Sequence, residues 1–336
     1  MSYSALIVLV LLIILVFGIK KETLENIGAE SSQKMLSRLN NLRGIFAIEI
    51  VIGHVVRYEN TPLFLLGKFM IISVAFYFFV SAWGIVQSWK RKSNYLKFFL
   101  ISKTGYLFCL ALIVYLVNVL IDICVPYSLG YYNGKDVIAN FFTLTNWYIW
   151  EQIVLYILFY FIYKYIKKYR VLFLGSIVMC GIGILYHAGF SQGFYSSSLA
   201  FPLGLLFGEY YEECQRFLVT WKGKAITAAT IVLGISSVFF SAESILGMVY
   251  LKNIMCIGGM LILIYVIKYF VFDNKMLRFL GRYSVEIYLI QFIFLMLFAA
   301  LEWDYKVSVP AVLICTLLMS FILHPLFIII KKKIRR

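Results

Sequence analysis

Long apolar runs, separated by short segments that carry most of the charge, dominate the pattern of this chain. A helix needs about 20 apolar residues to cross the hydrocarbon core of a bilayer, so runs of that length predict membrane-spanning helices. We predict eleven such helices, over residues 3–18, 42–58, 63–88, 96–121, 138–163, 171–189, 196–211, 225–241, 245–270, 283–301 and 307–330. The predicted fold is an all-α integral membrane protein, a polytopic bundle of about ten core transmembrane helices plus one extra N-terminal helix.

Two of these spans have a second interpretation. The polar residues at the start of 138–163 also suit a short interfacial or re-entrant piece. The run 3–18 could be a signal peptide, but the residues before it carry no Lys or Arg and no small-residue cleavage site follows. We therefore predict an extra transmembrane helix with a polar cytoplasmic connector over 1–37, and one membrane domain over 38–336.

Composition and charge agree with a membrane location. The chain is 62% apolar and has a mean hydropathy of +0.90, which excludes a soluble globular domain. The net charge of +15 could indicate nucleic acid, but the basic residues lie in short loops, so we predict membrane lipid and no nucleic acid as a partner. With the Arg43 end of its helix inside, 26 of the 31 Lys and Arg residues fall on the inner side. The positive-inside rule then predicts a multi-pass cell-membrane protein with a cytoplasmic C-terminus.

The strongest candidate for chemistry is the pair Arg43 and His54 in the second predicted span. Eleven steps of about 100° bring both residues to one helix face, about 16 Å apart along the axis. His54 lies where hydrocarbon is expected, and a neutral imidazole there could accept a proton from an alcohol. The alternative is a histidine hydrogen-bonded between helices. Arg43 could bind a phosphate or carboxylate at the inner surface, or could be an ordinary positive-inside anchor.

Other polar residues in the spans are open between a structural and a functional role. Ser81 is interpreted as a packing residue, because no base stands beside it in the sequence. Glu151 and Gln152 lie near the outer face, where a sugar or only solvent could meet them. Glu286 needs a partner inside the membrane. The remaining residues are given no chemical role: Glu49, His187 and His324.

The six cysteines are scattered, without a CxxC motif or a Cys/His cluster, so we predict neither a disulfide framework nor a metal site. We find no internal repeat of the kind that builds transporters. No large outer loop of the kind that glycan polymerases generally have is present either. A lipid-linked glycan flippase or transporter remains the alternative to an enzyme.

Together, these stretches resemble the acyltransferase 3 family of integral membrane O-acyltransferases. The similar stretches, in family order, are Leu42–His54, Val74–Ile85, Lys97–Leu107, Asn146–Tyr160, Ser197–Tyr210 and Leu280–Gln291. The chain departs from the family pattern at three positions. Ala82 replaces a usual glycine, Lys103 replaces a common arginine, and Gln291 replaces a frequent histidine.

The resemblance implies transfer of an acyl group, usually acetyl, from cytoplasmic acyl-CoA to a hydroxyl of a surface glycan or its lipid-linked precursor. Acetyl-CoA or another acyl-CoA would be the co-substrate, with no metal. In this interpretation Arg43 and Lys103 hold the donor, and His54 is the general base. Tyr148, Glu151 and Gln291 bind the acceptor. An acyl-His54 intermediate and the oligomeric state are left open.

Overall fold

The computed structural model describes residues 3–21, 31–56, 63–125, 140–142, 147–239 and 249–334. The helices are α1 Tyr3–Val16, α2 Ser32–Asn41, α3 Arg43–Val56, α4 Phe64–Arg91, α5 Tyr106–Cys124, α6 Trp147–Tyr165, α7 Arg170–His187, α8 Ala200–Glu209, α9 Tyr211–Val219, α10 Trp221–Phe239, α11 Leu251–Tyr269, α12 Lys275–Arg282, α13 Ser284–Ala300 and α14 Tyr305–Ile334. A π-helical turn, Ile101–Gly105, leads into α5, and short 3₁₀ helices cover Tyr95–Phe98 and Gln192–Phe194. Two two-residue strands, β1 Lys20–Lys21 and β2 Phe270–Val271, pair antiparallel.

The architecture is that of a multi-pass helical membrane protein. Among the described residues, five helical segments are long and apolar enough to cross a bilayer: α4, the π-helical turn with α5, α7, α11 and α14. The number rises to eight if each of three bent pairs is one span. These pairs are α2–α3, bent by 40°, α9–α10, bent by 87°, and α12–α13, bent by 65°. The all-α class is confirmed, whereas the count of eleven spans is not.

The N-terminal helix is shorter than the sequence predicts. The 14 residues of α1 extend about 21 Å, less than the roughly 30 Å of a hydrocarbon core. α1 packs against α3 and α12, and the Asn274 side chain donates hydrogen bonds to the carbonyls of Ile14 and Phe17. The pairing of β1 with β2 ties the following residues to the end of α11. The N-terminal segment is thus attached to the bundle.

The end of the predicted polar connector is helical. Ser32–Asn41 is a helix, α2, that meets α3 with only a moderate bend. It is amphipathic, and its buried residues Met35 and Leu39 recur at helical spacing. Its first residue, Ser32, accepts hydrogen bonds at 2.9 and 2.8 Å from Trp83 and Gln87 of α4. α2 therefore continues α3 along the side of α4.

Three other predicted spans differ from the structure. The span 196–211 contains only the ten-residue α8, because the chain before residue 200 is not α-helical. The span 225–241 is part of α10, which follows α9 at nearly a right angle. In the span 138–163, the described part of the long helix is Trp147–Tyr165, and residues 138–139 and 143–146 lie outside the described part of the chain.

Close backbone packing between two bends positions the centre of the bundle. Gly44 is the second residue of α3, at the bend after α2, and a Cβ atom there would lie 2.6 Å from the backbone nitrogen of Gly281, near the bend before α13. At the other end of α3, His54 contacts Phe292 of α13. α3 and α13 therefore run side by side in the same direction, and α3 also packs along α4, the most buried of the five long apolar segments.

We expect Gly44→Ala to destabilise the folded protein by about 1–3 kcal/mol, because the added methyl group forces α3 away from α12. Thermal unfolding of the purified protein in detergent would measure the loss. Gly84→Ala is the control, since a Cβ atom at Gly84 meets nothing within 4 Å. Equal unfolding temperatures for the two variants would contradict the close approach.

Candidate active site

Arg43 lies deep in the bundle. Its guanidinium carbon is 5.7 Å from the centre of the Tyr77 ring, and the Tyr77 hydroxyl donates a 2.6 Å hydrogen bond to the Arg43 carbonyl. Tyr77 is the fourteenth of the 28 residues of α4, the midpoint of that helix. Arg43 is thus level with the middle of α4, and its expected position at the inner surface stays a prediction. α2, which overlaps the predicted connector, extends the helical path before Arg43.

Three tyrosines from three helices meet beside Arg43, and we call Tyr77, Tyr148 and Tyr288 the tyrosine triad. The ring centres are 6.4 Å apart for Tyr77 and Tyr148, 6.2 Å for Tyr77 and Tyr288, and 5.0 Å for Tyr148 and Tyr288. The guanidinium of Arg43 interacts electrostatically with both Tyr77 and Tyr148. The rings thus give the buried cation a polarisable, hydroxyl-bearing surface.

Two helices begin at this centre, and α6 contributes Tyr148. Arg43 is the first residue of α3, and Tyr77 also contacts Ser284, the first residue of α13. α6 runs parallel to α4, because Gln152 pairs with Ser81 farther along both helices. Each helix N-terminus carries a partial positive charge and free N–H groups. With the Arg43 guanidinium they make this centre favourable for an anion.

His54 lies at the opposite end of α3 from Arg43, about 16 Å along the axis. Its ring is half-buried and meets the Phe292 ring edge-on, with 5.0 Å between ring centres. Phe292 is one helical turn after Tyr288, so Tyr288 lies between the levels of Arg43 and His54. The structure therefore places Arg43, the tyrosine triad and His54 in one column, and we call this arrangement the Arg43–His54 column.

Polar groups of α6 and α13 border the column. The Gln152 side-chain oxygen accepts hydrogen bonds from Ser81 at 3.0 Å and from Tyr148 at 3.2 Å. Ser81, interpreted from sequence as a packing residue, thus contacts a polar side chain. Gln291 is fully buried, and its amide nitrogen donates to the Tyr288 carbonyl at 3.0 Å. Among the described residues, the Gln152 nitrogen, the Gln291 oxygen and both Glu151 oxygens have no hydrogen-bond partner of normal geometry.

Lys103 approaches from a different helix. It is half-buried in the π-helical turn, which packs against α6 and α14. One turn earlier, the Phe99 ring contacts Tyr156 and Phe159 of α6, both farther from the α6 N-terminus than Tyr148. Lys103 therefore lies beside the part of α6 that runs from the tyrosine triad toward the C-terminal end of that helix.

Two partnerships were not predicted from sequence. His324 Nδ1 of α14 lies 2.6 Å from Glu286 Oε1 of α13, which supplies the partner that an intramembrane carboxylate needs. The signal was present, because Glu286 and His324 are the one acidic and the one histidine residue in the last two predicted spans, which contain no Lys or Arg. Glu49 faces Ser73 of α4, and its second oxygen is buried without a hydrogen-bond partner. No group of three His, Cys, Asp or Glu side chains that could hold a metal ion occurs among the described residues.

Residues 36–327 match the acyltransferase 3 family, and the matching region is described as an acyltransferase domain. Because the match covers well over half of the 336 residues, the chain belongs to this family. Comparisons with curated proteins and with solved structures gave no match. The resemblance seen in the motifs is confirmed, and the class is that of membrane acyltransferases.

We expect His324→Leu to lower the free energy of unfolding by about 2–3 kcal/mol, because it leaves the Glu286 carboxylate buried without its partner. Replacing both Glu286 and His324 by leucine should lower the free energy of unfolding by less than this single change does. A double-mutant cycle followed by thermal unfolding in detergent would measure the coupling. His187→Leu, at an exposed position, serves as the control. Additive effects of the two changes would show that the pair contributes nothing.

Proposed function

We propose that this protein is a membrane O-acyltransferase, in particular an O-acetyltransferase. It transfers the acyl group of cytoplasmic acetyl-CoA, or another acyl-CoA, to a hydroxyl of a cell-surface carbohydrate or its lipid-linked precursor. The observation that carries the proposal is the Arg43–His54 column. A cation, a set of hydroxyl-bearing rings and an imidazole follow one another beside α3 in a bundle whose family transfers acyl groups.

The donor is proposed to enter from the cytoplasm, the side on which the positive-inside rule predicts the C-terminus. Its phosphates carry the negative charge that Arg43 and the two helix N-termini favour, and Lys103 would add a second cation along α6. The buried Nε atom of Arg43 has no hydrogen-bond partner among the described residues, which fits a group that awaits an anion. Because Arg43 is level with the middle of α4, the donor is proposed to reach into the bundle rather than stay at its surface.

In the proposed reaction, His54 acts as the general base. The acceptor hydroxyl oxygen attacks the thioester carbonyl carbon while the imidazole takes its proton. The carbon–sulfur bond then breaks, and the CoA thiolate leaves and receives the proton from the imidazolium. The products are an O-acyl ester and free CoA. Tyr148, Glu151 and Gln291 are proposed to orient the acceptor, because they contribute hydroxyl, carboxylate and amide groups beside the tyrosine triad.

Replacing the base tests the reaction class. We expect His54→Ala to reduce ester-linked acyl groups on the surface glycan at least 100-fold, because no other base takes the hydroxyl proton. Mass spectrometry of purified glycan from cells with the native gene, with the variant and without the gene would measure this. His187→Ala is the control. Normal glycan acylation by His54→Ala, at a protein level in the membrane equal to that of the native protein, would refute the acyltransferase assignment. Shortened or missing glycan in cells without the gene would instead favour a polymerase or flippase.

Arg43 is tested by a graded pair of substitutions. We expect Arg43→Ala to raise the KM for acetyl-CoA at least tenfold in membrane vesicles. Arg43→Lys should raise it less, because lysine keeps the charge but not the planar fork. Arg216→Ala removes an exposed guanidinium and should leave the KM unchanged. Equal KM values for Arg43→Ala and the native protein would eliminate the anion-binding role.

A further inference from the structure

α6 has two adjacent faces that matter here. One carries Tyr148 of the triad, and the other meets a separate segment of the chain. Trp147 and Glu151 are one turn apart on α6 and turn toward residues 192–199, the chain that leads into α8. The Trp147 ring lies 6.2 Å from the Phe194 ring, and the Glu151 carboxylate faces the Ser198 hydroxyl. Tyr148 and Gln152, by contrast, contact α4. The N-terminal part of α6 thus separates the column from a second polar surface.

This second surface is held in a fixed conformation. The Asn253 side chain of α11 donates a 2.7 Å hydrogen bond to the Tyr195 carbonyl and accepts a 3.1 Å hydrogen bond from the Leu199 nitrogen. The Cys256 thiol lies 3.7 Å from the Ser196 carbonyl. One helix therefore fixes both ends of residues 195–199, so the serine hydroxyls between them keep their positions without a ligand.

Two residues of this surface bury polar atoms that the described residues do not fully satisfy. Glu151 is 8% exposed, and although its carboxylate faces Ser198, neither oxygen has a hydrogen bond of normal geometry. Ser197 is fully buried, and its hydroxyl has no partner among the described residues. In a membrane interior such groups are costly to bury unless a polar molecule satisfies them. The groups thus point to a ligand that supplies hydroxyls.

We propose that Trp147, Glu151, Ser197 and Ser198 form the acceptor subsite, and that it takes a neutral sugar ring. This inference rests on the proposed function and deepens it. Sugar hydroxyls can donate to the carboxylate and exchange hydrogen bonds with the serines, while the apolar face of the ring packs on the indole. An acidic sugar would place a second carboxyl group beside Glu151, and two carboxyl groups in a low-dielectric site cannot both stay charged, so an acidic ring could bind only after one of them takes up a proton.

The subsite approaches the column at the tyrosine triad. Glu151 interacts electrostatically with Tyr288 of the triad. A sugar bound at Glu151 would therefore lie near the triad, which also contains Tyr148 of α6.

Binding can be measured without catalysis. Saturation-transfer NMR would follow methyl β-glucoside, methyl β-galactoside and methyl β-glucuronide with the purified full-length protein in a sugar-free detergent. We expect both neutral glycosides to bind at least tenfold more tightly than the glucuronide. Glu151→Gln and Ser197→Ala should each weaken neutral binding at least fivefold. Ser320→Ala removes a buried hydroxyl of α14 and should change nothing.

The outcomes separate this inference from the proposed function. No binding of either neutral glycoside, equal binding of the glucuronide, or unchanged binding by both Glu151→Gln and Ser197→Ala would overturn the subsite. Loss of glycan acylation in His54→Ala with no sugar effect of Glu151→Gln would leave the function standing and remove the subsite alone. Sugar binding together with normal acylation by His54→Ala would support the subsite and refute the proposed function.

Discussion

A guanidinium held halfway along a membrane-spanning helix is the constraint on which the rest of this structure depends. Arg43 is half-buried and lies over the Tyr77 ring, level with the midpoint of α4. The bundle accommodates the charge with the tyrosine triad, with two helix N-termini and with a backbone hydrogen bond that fixes Tyr77. Together, these features fit a cation that binds an anionic ligand.

Broken helices create this centre. α2 and α3 meet at a bend, α12 and α13 meet at another, and Gly44 packs against Gly281 where the two bends touch. A continuous helix would have used its backbone N–H groups internally, whereas a helix that starts in mid-bundle leaves its first ones free. Irregular backbone at membrane depth is stable only where protein or a polar cavity surrounds it. The bends are thus consistent with a site inside the bundle.

Several conclusions followed from residue pattern alone. The helical class, the membrane location and the family resemblance rest on apolar runs and motif order, which are local properties of the chain, and all three are confirmed. The depth of Arg43 was not predictable, because Ser32–Asn41 is polar on one face and reads as a connector. Only the packing of Met35 and Leu39 against the bundle shows that α2 continues the helical path. The contact of Glu286 with His324, 38 residues apart, needed the same tertiary information.

Periodicity and burial cost therefore determine which segments are helices and which polar residues stand out in the apolar runs, as His54 and Glu151 do. They do not determine which side chains face one another, because that depends on bends and helix order, and these arise from contacts between distant segments. The tyrosine triad joins three helices whose members lie 71 and 140 residues apart in the chain. Its position between Arg43 and His54 is a property of the folded bundle, decided by how closely Gly44 and Gly281 allow two backbones to approach.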